Sequence, residues 1–500
     1  MSLLRQIMLR GLTRSRSIAI TDDQRTYSFF QIAAGALFAA RAIRKATDRQ
    51  RVGILLPTSG AFPIALLGCW LARKTPVPLN YLLSQSELDH VVADSDIDLI
   101  VTAGKMVEGI KDLGVDLAAL PNTPSLLKME DLKFTGMPPL IWPPKLADDE
   151  IAVLLYTSGT SGKPKGVMLT EGNLRCNIDD AIAHAGLRDV DVFLGVLPQF
   201  HTFGLTVLTL LPLYMGGSVV YTARFNPRKL VKLIKKHQAQ IMVAVPSMYG
   251  ALMAVKKATP EDFASLKFVI SGGEPLPAAI HDGFRDKLGV TILEGYGLTE
   301  TSPVTNWATP TRNRLHSVGP SFPRVRNVIV DEQDNVLGVD AEGEILICGP
   351  SVMKGYHNLP ELTAQVMIEL DVPGLGRQRC FRTGDIGKVD ADGYLFITGR
   401  KKEMLIIAGE NVFPREIEEV LNRHPDVHAS AVIGRADGTR GEVAVAFVEL
   451  EEDSEFDEKA LRQYCRDGMA GFKVPKDIRL LDKLPRNPTG KIQRRELKAD

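Results

Sequence analysis

The run "YTSGTSGKPKG", Tyr156 to Gly166, gathers four small hydroxyl side chains, three glycines and two lysines around a single proline. Backbone N–H groups of a glycine-rich turn, backed by hydroxyls and a lysine, form a concave anion site, and phosphate is the guest that matches it. A Walker A loop would need GxxxxGK[ST] opening directly into a helix. Here Gly162 and Lys163 are followed by Pro164, which has no N–H to donate. The flanks "IAVLL" and "GVMLT" read as strands, so the loop is predicted to join a hairpin, with Thr170 as the N-cap of the next helix. A flexible surface hairpin would use the same residue types, and the loop alone leaves both readings open.

Five further stretches follow in order: "LPQFHTFGL" (197 to 205), "EGYGLTETSP" (294 to 303), "FRTGD" (381 to 385), "GRKKEMLIIAGENVFPREIE" (399 to 418) and "PRNPTGKIQRREL" (485 to 497). With the loop, they closely resemble the motifs of the adenylate-forming superfamily: acyl-CoA synthetases, firefly-type luciferases and nonribosomal adenylation domains. The resemblance spans most of the chain. It implies a two-step reaction in which a carboxylate attacks the α-phosphorus of ATP, pyrophosphate leaves, and a thiol then displaces AMP from the acyl adenylate.

Carried over position by position, the resemblance implies that Thr157, Ser158, Gly159, Thr160, Ser161 and Lys165 hold the β- and γ-phosphates. Thr299 meets the α-phosphate and Glu300 ligates Mg²⁺, an ion that needs few protein carboxylates when phosphates supply other ligands. Tyr296 and Gly297 precede them in the nucleotide-binding run. Asp385 takes the ribose hydroxyls and Arg400 contacts the same sugar. Gly272 and Gly273 of "SGGEPLP" pass the adenine, whereas Glu274 is bulkier than the small residue common there. Lys491 is implied to bridge the carboxylate and the α-phosphate, stabilising charge that develops in the first step. Lys402 matches the hinge position, and Gly409 the turn that lines the pantetheine channel. The implied cofactors are ATP, Mg²⁺ and coenzyme A, with acyl carrier protein an alternative acceptor. A homologue that binds nucleotide without turnover would be expected to have lost Lys491, Glu300 or Asp385, and all three are present.

Amino-acid-activating relatives place an aspartate directly after the aromatic residue of the second motif, whereas here Phe200 is followed by His201. The run "TFGLTVLTLLPLYMGG" beyond it carries no charge. It suits an acyl tunnel or an ordinary buried helix, and resembles fatty-acyl-activating members more than acetate-activating ones. A medium- or long-chain fatty acid is the expected substrate, with an aryl carboxylate as the alternative. His201 reads as a pocket or gate residue, or as a satisfied core histidine.

These residues need a large scaffold. Five hundred residues exceed what one core usually supports. Up to about residue 400, apolar runs such as "VGILLP", "IMVAVP" and "KFVISGG" alternate with helical patterns, which predicts parallel strands buried on both faces. Beyond Arg400 the pattern becomes a small α+β unit, with a helix opening at Pro414. The expected class is therefore α/β: residues 1–401 as a large multi-subdomain domain of layered sheets, residues 402–500 as a small mobile α+β lid. Sixty basic residues balance sixty acidic ones, against a nucleic-acid partner. Cys69, Cys176, Cys348, Cys380 and Cys465 are scattered without a CxxC, fitting free thiols in a reducing cytoplasm. The basic N-terminus, with Leu3, Leu4, Ile7, Met8 and Leu12 at helical spacing, reads as a first helix packed on the domain, a transit peptide or a membrane-surface helix. At most a peripheral membrane contact is expected.

Overall fold

The computed structural model describes residues 1–158, 163–188, 191–407, 409–437, 441–486 and 490–499. Its largest sheet has eight strands, and sequence order is shuffled across it. Val304–Trp307 lies at one edge, followed by Leu293–Gly297, Phe268–Ser271, Ile241–Ala244, Val192–Gly195, Ser218–Tyr221, Ile18–Thr21 and, at the far edge, Thr26–Ser28. The pairing is parallel except for the outermost pair at each edge. Central strands such as Ile241–Ala244 are buried at every position, because helices cover both faces and leave no face for polar residues.

A second, four-stranded parallel sheet orders Thr75–Pro78, Arg51–Ile54, Leu99–Thr102 and Ser125–Lys128. The strands Ile151–Ser158 and Pro164–Thr170 pair antiparallel as a hairpin, joined by Gly355–Tyr356 at its edge. Thr170 caps the following helix, Glu171–Ala185: its side chain accepts from the Asn173 amide. An antiparallel sheet built on Gly376–Val389 carries the chain to Leu395–Arg400.

The last unit has its own sheet, in which Leu405–Ile407 and Val427–Asp437 flank Gly441–Leu450. Its core of Leu405, Val412, Ile417, Leu421, Val432 and Leu461 is separate from the main core, whose buried members end at Leu395. Pro414 opens the helix Pro414–Leu421, where its missing N–H costs nothing.

Three expectations meet a different outcome or a choice. Cys348 and Cys380 form a disulfide, so the reading of five free thiols is corrected. The two are separated by 32 residues in sequence, but the register of adjacent strands sets them opposite each other. The remaining cysteines, Cys69, Cys176 and Cys465, are free and buried. The uncharged run after His201 is chiefly core: Leu205, Leu208, Leu210 and Leu213 are all fully buried in the main cluster. Gly204 has no room for a side chain there, since a Cβ would stand 2.1 Å from the Pro198 carbonyl oxygen. The basic N-terminus forms the helix Leu3–Thr13, which buries Leu3, Leu4, Ile7, Met8 and Gly11 against the domain. Glu171 pins its start by accepting from the Leu3 amide at 3.0 Å. Among the described residues no helix is long and apolar enough to cross a membrane.

Candidate active site

The strand Leu293–Gly297 ends between two cavities, and Gly273, Gly295, Tyr296 and Gly297 line both. Gly297 must be glycine, because a Cβ would lie 1.9 Å from the Pro303 carbonyl oxygen. A side chain there would push apart the two backbone segments that close the floor of the site.

On the polar side, a cavity of about 130 Å³ gathers Glu274, Asp385, Arg400, Glu403, Lys491 and Arg494. Asp385 and Arg400 are register partners in adjacent strands. The Arg400 Nε stands 2.9 Å from Asp385 Oδ1, and the Tyr296 hydroxyl donates to Asp385 Oδ2 at 2.5 Å. Burial and the Asp385 carboxylate drive the Tyr296 hydroxyl far above the ordinary tyrosine range, so it stays a donor. The Asp385 carboxylate is fixed from two sides and retains lone pairs for a further donor, such as a sugar hydroxyl.

Lys491 reaches this cavity from the C-terminal unit. Burial lowers the pKa of its ammonium and Arg400 lowers it further, while Glu274 opposes them. Burial raises the pKa of Glu274, against the pull of Lys491, Arg486 and Arg494. Glu274 Oε1 is buried without a hydrogen-bond partner among the described residues. Arg494 is anchored by Glu418 at 2.7 Å and Glu403 at 3.1 Å. The cavity lining mixes Lys491, Arg400, Arg415 and Arg494 with Glu274, Glu294, Asp385 and Glu403, so cations that could meet an anionic phosphate are held in place by carboxylates.

Thr299 and Glu300 lie in the short turn Thr299–Thr301 just beyond Gly297. The Tyr356 hydroxyl donates to Glu300 Oε1 at 2.8 Å, and Lys165 Nζ lies 5.6 Å from the Tyr356 ring centroid. The lysine of the hairpin, the glutamate and this ring therefore form one wall. Gly159, Thr160 and Ser161 lie outside the described residues; Thr157 stands opposite Lys165 in the hairpin register, which ends with Ser158 opposite Pro164.

On the apolar side, a cavity of about 200 Å³ is bounded by Leu197, Phe203, Val207, Val245, Ile270 and Trp307. His201, Thr202, Gly272 and Thr299 also reach it. Burial pushes the His201 pKa down to about 4, which keeps the imidazole neutral at pH 7. His201 Nε2, Thr202 Oγ1 and Trp307 Nε1 are buried without hydrogen-bond partners among the described residues. They line or border an otherwise apolar chamber.

Sequence reasoning missed several of these residues. Tyr356 carried no motif and comes into place because its short strand pairs with the hairpin. Trp307 ends the edge strand Val304–Trp307, and its only sequence signal was rarity, as one of three tryptophans. Gly409 follows the strand Leu405–Ile407 and does not line either cavity. Lys402 lies in the short turn Lys401–Glu403 between the two cores.

A mixed-sheet scaffold with a polar cavity, an adjoining apolar chamber and a small second unit that contributes Lys491 and Arg494 to the polar side is the architecture of an adenylate-forming enzyme. The chain belongs to the AMP-binding enzyme family: the model of that family matches residues 11–357, and the model of the AMP-binding enzyme C-terminal domain matches residues 416–491. It is 34% identical over 480 residues to the sulfoacetate–CoA ligase of Cupriavidus necator, covering 94% of this chain and 92% of that protein. It is 34% identical to a feruloyl-CoA synthase of Amycolatopsis (92% and 91% covered) and 32% identical to a long-chain-fatty-acid–CoA ligase of Bacillus subtilis (89% and 85%). The ATP-bound crystal structure of MatB from Rhodopseudomonas palustris superposes with a TM-score of 0.86 at 29% identity, covering 99% of this chain and 98% of the other. The protein is an AMP-forming acid–CoA ligase.

Proposed function

We propose that this enzyme activates a compact monocarboxylic acid of medium chain length as its acyl adenylate and transfers the acyl group to coenzyme A. What carries the reading is the shared boundary of the two cavities at Gly295, Tyr296 and Gly297. An acid seated in the apolar chamber would direct its carboxylate past Gly297 toward Thr299 and Lys491. A carboxylate oxygen then bonds to the α-phosphorus as the bond to the pyrophosphate oxygen breaks. In the second step the CoA thiol attacks the acyl carbon and AMP departs with the bonding pair.

Lys491 is assigned to charge stabilisation in the first step, because its ammonium lies in the same cavity as Asp385 and Arg400. Asp385 with Arg400 is assigned to the ribose, and Lys165 with Thr157 to the distal phosphates. Ser158, Gly159, Thr160 and Ser161 share that assignment on their motif alone. Gly272, Gly273 and Glu274 are assigned to the adenine edge. His201, neutral and unpartnered at Nε2, is assigned to the acid pocket rather than to proton transfer, since the acid is already ionised at pH 7.

Glu300 is the proposed protein ligand for Mg²⁺. Among the described residues no group of three or more His, Cys, Asp or Glu is placed to hold a metal. One carboxylate suits an ion that takes its other ligands from phosphate and water. When bound, Mg²⁺ supplies neutralisation of the phosphate charge.

The chamber size favours a compact acid over a long chain. A cavity of about 150 Å³ lined by aliphatic and aromatic side chains accommodates benzene, so about 200 Å³ suits one ring or a tail of modest length. Trp307 Nε1 and Thr202 Oγ1, buried without a partner among the described residues, favour a second reading, an aryl acid whose ring carries a polar substituent. CoA is the proposed acceptor, and nothing supports acyl carrier protein over it.

Residues 402–500 are proposed to rotate about Lys402 between the steps, bringing Gly409 to the site in place of Lys491. A cleft of about 860 Å³, lined by Glu344 and Lys401 on one side and Phe413 and Lys473 on the other, leaves room beside the linker. The cytoplasm is the proposed compartment, with the Cys348–Cys380 bridge shielded by its burial.

Pyrophosphate release with ATP, Mg²⁺ and a panel of medium-chain, long-chain and aryl acids tests the reading. Highest turnover on a palmitate-sized acid would overturn the compact-acid assignment.

A further inference from the structure

We propose that the face built from the helices Leu3–Thr13 and Phe29–Ala46 and the loop 133–146 docks this enzyme peripherally on an anionic phospholipid surface. Contacts join the three segments. Gly11 packs on Ala33, where a Cβ would come within 2.5 Å of the Ala33 Cβ. Arg5 Nε donates to the Pro143 carbonyl at 3.1 Å. The Phe134 ring meets Phe38 edge-on at 5.9 Å, with Arg41 5.4 Å from the Phe38 centroid. The loop thus runs from one helix to the other.

Two properties of this face point to lipid. The first is charge: residues 1–21, 29–46 and 133–146 contain no Asp or Glu, in a chain whose acids and bases are equal in number. Arg16, Arg41, Lys45, Lys133 and Lys145 are exposed there. The nearest acids in sequence, Asp22, Asp48, Asp131 and Asp148, stand just outside the segments, and Asp148 is paired with Arg175 at 2.9 Å.

The second property is apolar exposure. Leu9 and Leu12 follow Arg5 at i+4 and i+7 on the outer side of the first helix, with Leu12 75% exposed. The proline-rich loop presents Met137 at 90% and Trp142 at 83% exposure, with Leu140 between them fully open. Apolar tips and an interfacial tryptophan ringed by cations match a headgroup layer over hydrocarbon. Nucleic acid would reward the cations but not Met137 or Leu140. An acidic protein would be expected to meet a recessed apolar pocket, whereas these side chains project.

The three tryptophans make a direct test possible. Trp70 and Trp307 are each 2% exposed, so Trp142 alone is open to a quencher in solution or in lipid. Titrating the full-length enzyme with vesicles of brominated phosphatidylglycerol and phosphatidylcholine should quench its fluorescence, and pure phosphatidylcholine vesicles should bind at least about tenfold more weakly. Trp142→Ser with Leu140→Ser should reduce sedimentation with phosphatidylglycerol vesicles about tenfold or more. Arg16→Glu with Lys133→Glu should do the same at low salt and flatten the salt dependence. Unchanged ATP–pyrophosphate exchange in both variants would show that each is folded. Wild-type enzyme that stays unquenched and in the supernatant overturns the proposal, as do variants that bind like wild type. Concentration-dependent dimerisation abolished by Trp142→Ser, without vesicle binding, would assign the face to self-association instead.

Discussion

Asp385 and Arg400 stand opposite each other in paired strands, with Arg400 Nε 2.9 Å from Asp385 Oδ1 and the Tyr296 hydroxyl on the other carboxylate oxygen. This arrangement ties the antiparallel sheet to the strand that floors both cavities.

If the pair receives the ribose, Asp385→Asn loses a charge-assisted acceptor and leaves Arg400 without its counterion. The KM for ATP should rise about 10- to 100-fold, a loss of roughly 1.5 to 3 kcal/mol. The KM for the acid should change by less than about threefold. Initial-rate kinetics with each substrate varied in turn decide this, and an equal rise in both constants would contradict a ribose contact.

Trp307 closes the acid chamber and offers an indole N–H with no partner among the described residues. Trp307→Phe keeps most of the volume and removes that donor. For an aryl acid with a polar ring substituent, kcat/KM should fall about tenfold, roughly 1.4 kcal/mol. For an unsubstituted acid of similar size it should stay within about twofold. Identical losses on both acids would mean that the indole nitrogen plays no part in recognition.

Some of this architecture was legible in the chain, and the reason differs from element to element. The hairpin, the Thr170 cap and the Pro414 helix start follow from residues within a few positions of one another. Local rules therefore sufficed. The Cys348–Cys380 bridge depends on strand register across 32 residues, which no local pattern encodes. The leucines after His201 show the opposite difficulty: an apolar run reads alike whether it lines a chamber or packs in a core. Only Thr202, Phe203 and Val207 of that run line the acid cavity. Tyr356 was beyond reach because its short edge strand pairs with the distant strand Pro164–Thr170. Trp307 pairs with Gly295 only twelve residues earlier, but no local pattern marks its side chain as one that turns toward the chamber.

Glu171 gives the fold a pH signature. Its side chain is fully buried and its pKa is pushed up to about 7, chiefly by burial, against the Leu3 amide and Arg175. A carboxyl whose folded pKa lies above its unfolded value stabilises the fold at low pH and loses that contribution as pH rises from about 4.5 through about 7. Glu171→Gln should remove this dependence. Relative to the variant, the wild type should lose about 2 kcal/mol between pH 5 and pH 8, seen as diverging thermal midpoints. Parallel midpoint-versus-pH curves would contradict it.

Lys402 sits in the turn Lys401–Glu403, between the main core and that of the C-terminal unit. Proline fixes φ near −65° and disfavours the helical conformation of the residue before it. Lys402→Pro should lower adenylation by no more than about tenfold and thioester formation by at least about 100-fold, near 3 kcal/mol. Transfer to CoA at the wild-type rate would show that the pivot lies elsewhere.

The central claim is that Lys491 serves adenylation alone, and single-turnover measurement of Lys491→Ala in each half-reaction tests it most directly. Acyl-adenylate formation from acid and ATP should fall about 10² to 10⁴-fold, roughly 3 to 5 kcal/mol of transition-state stabilisation. CoA thioester formation from presynthesised acyl adenylate should stay within about threefold of wild type. Equal losses in both half-reactions, or adenylation at the wild-type rate, would contradict the account.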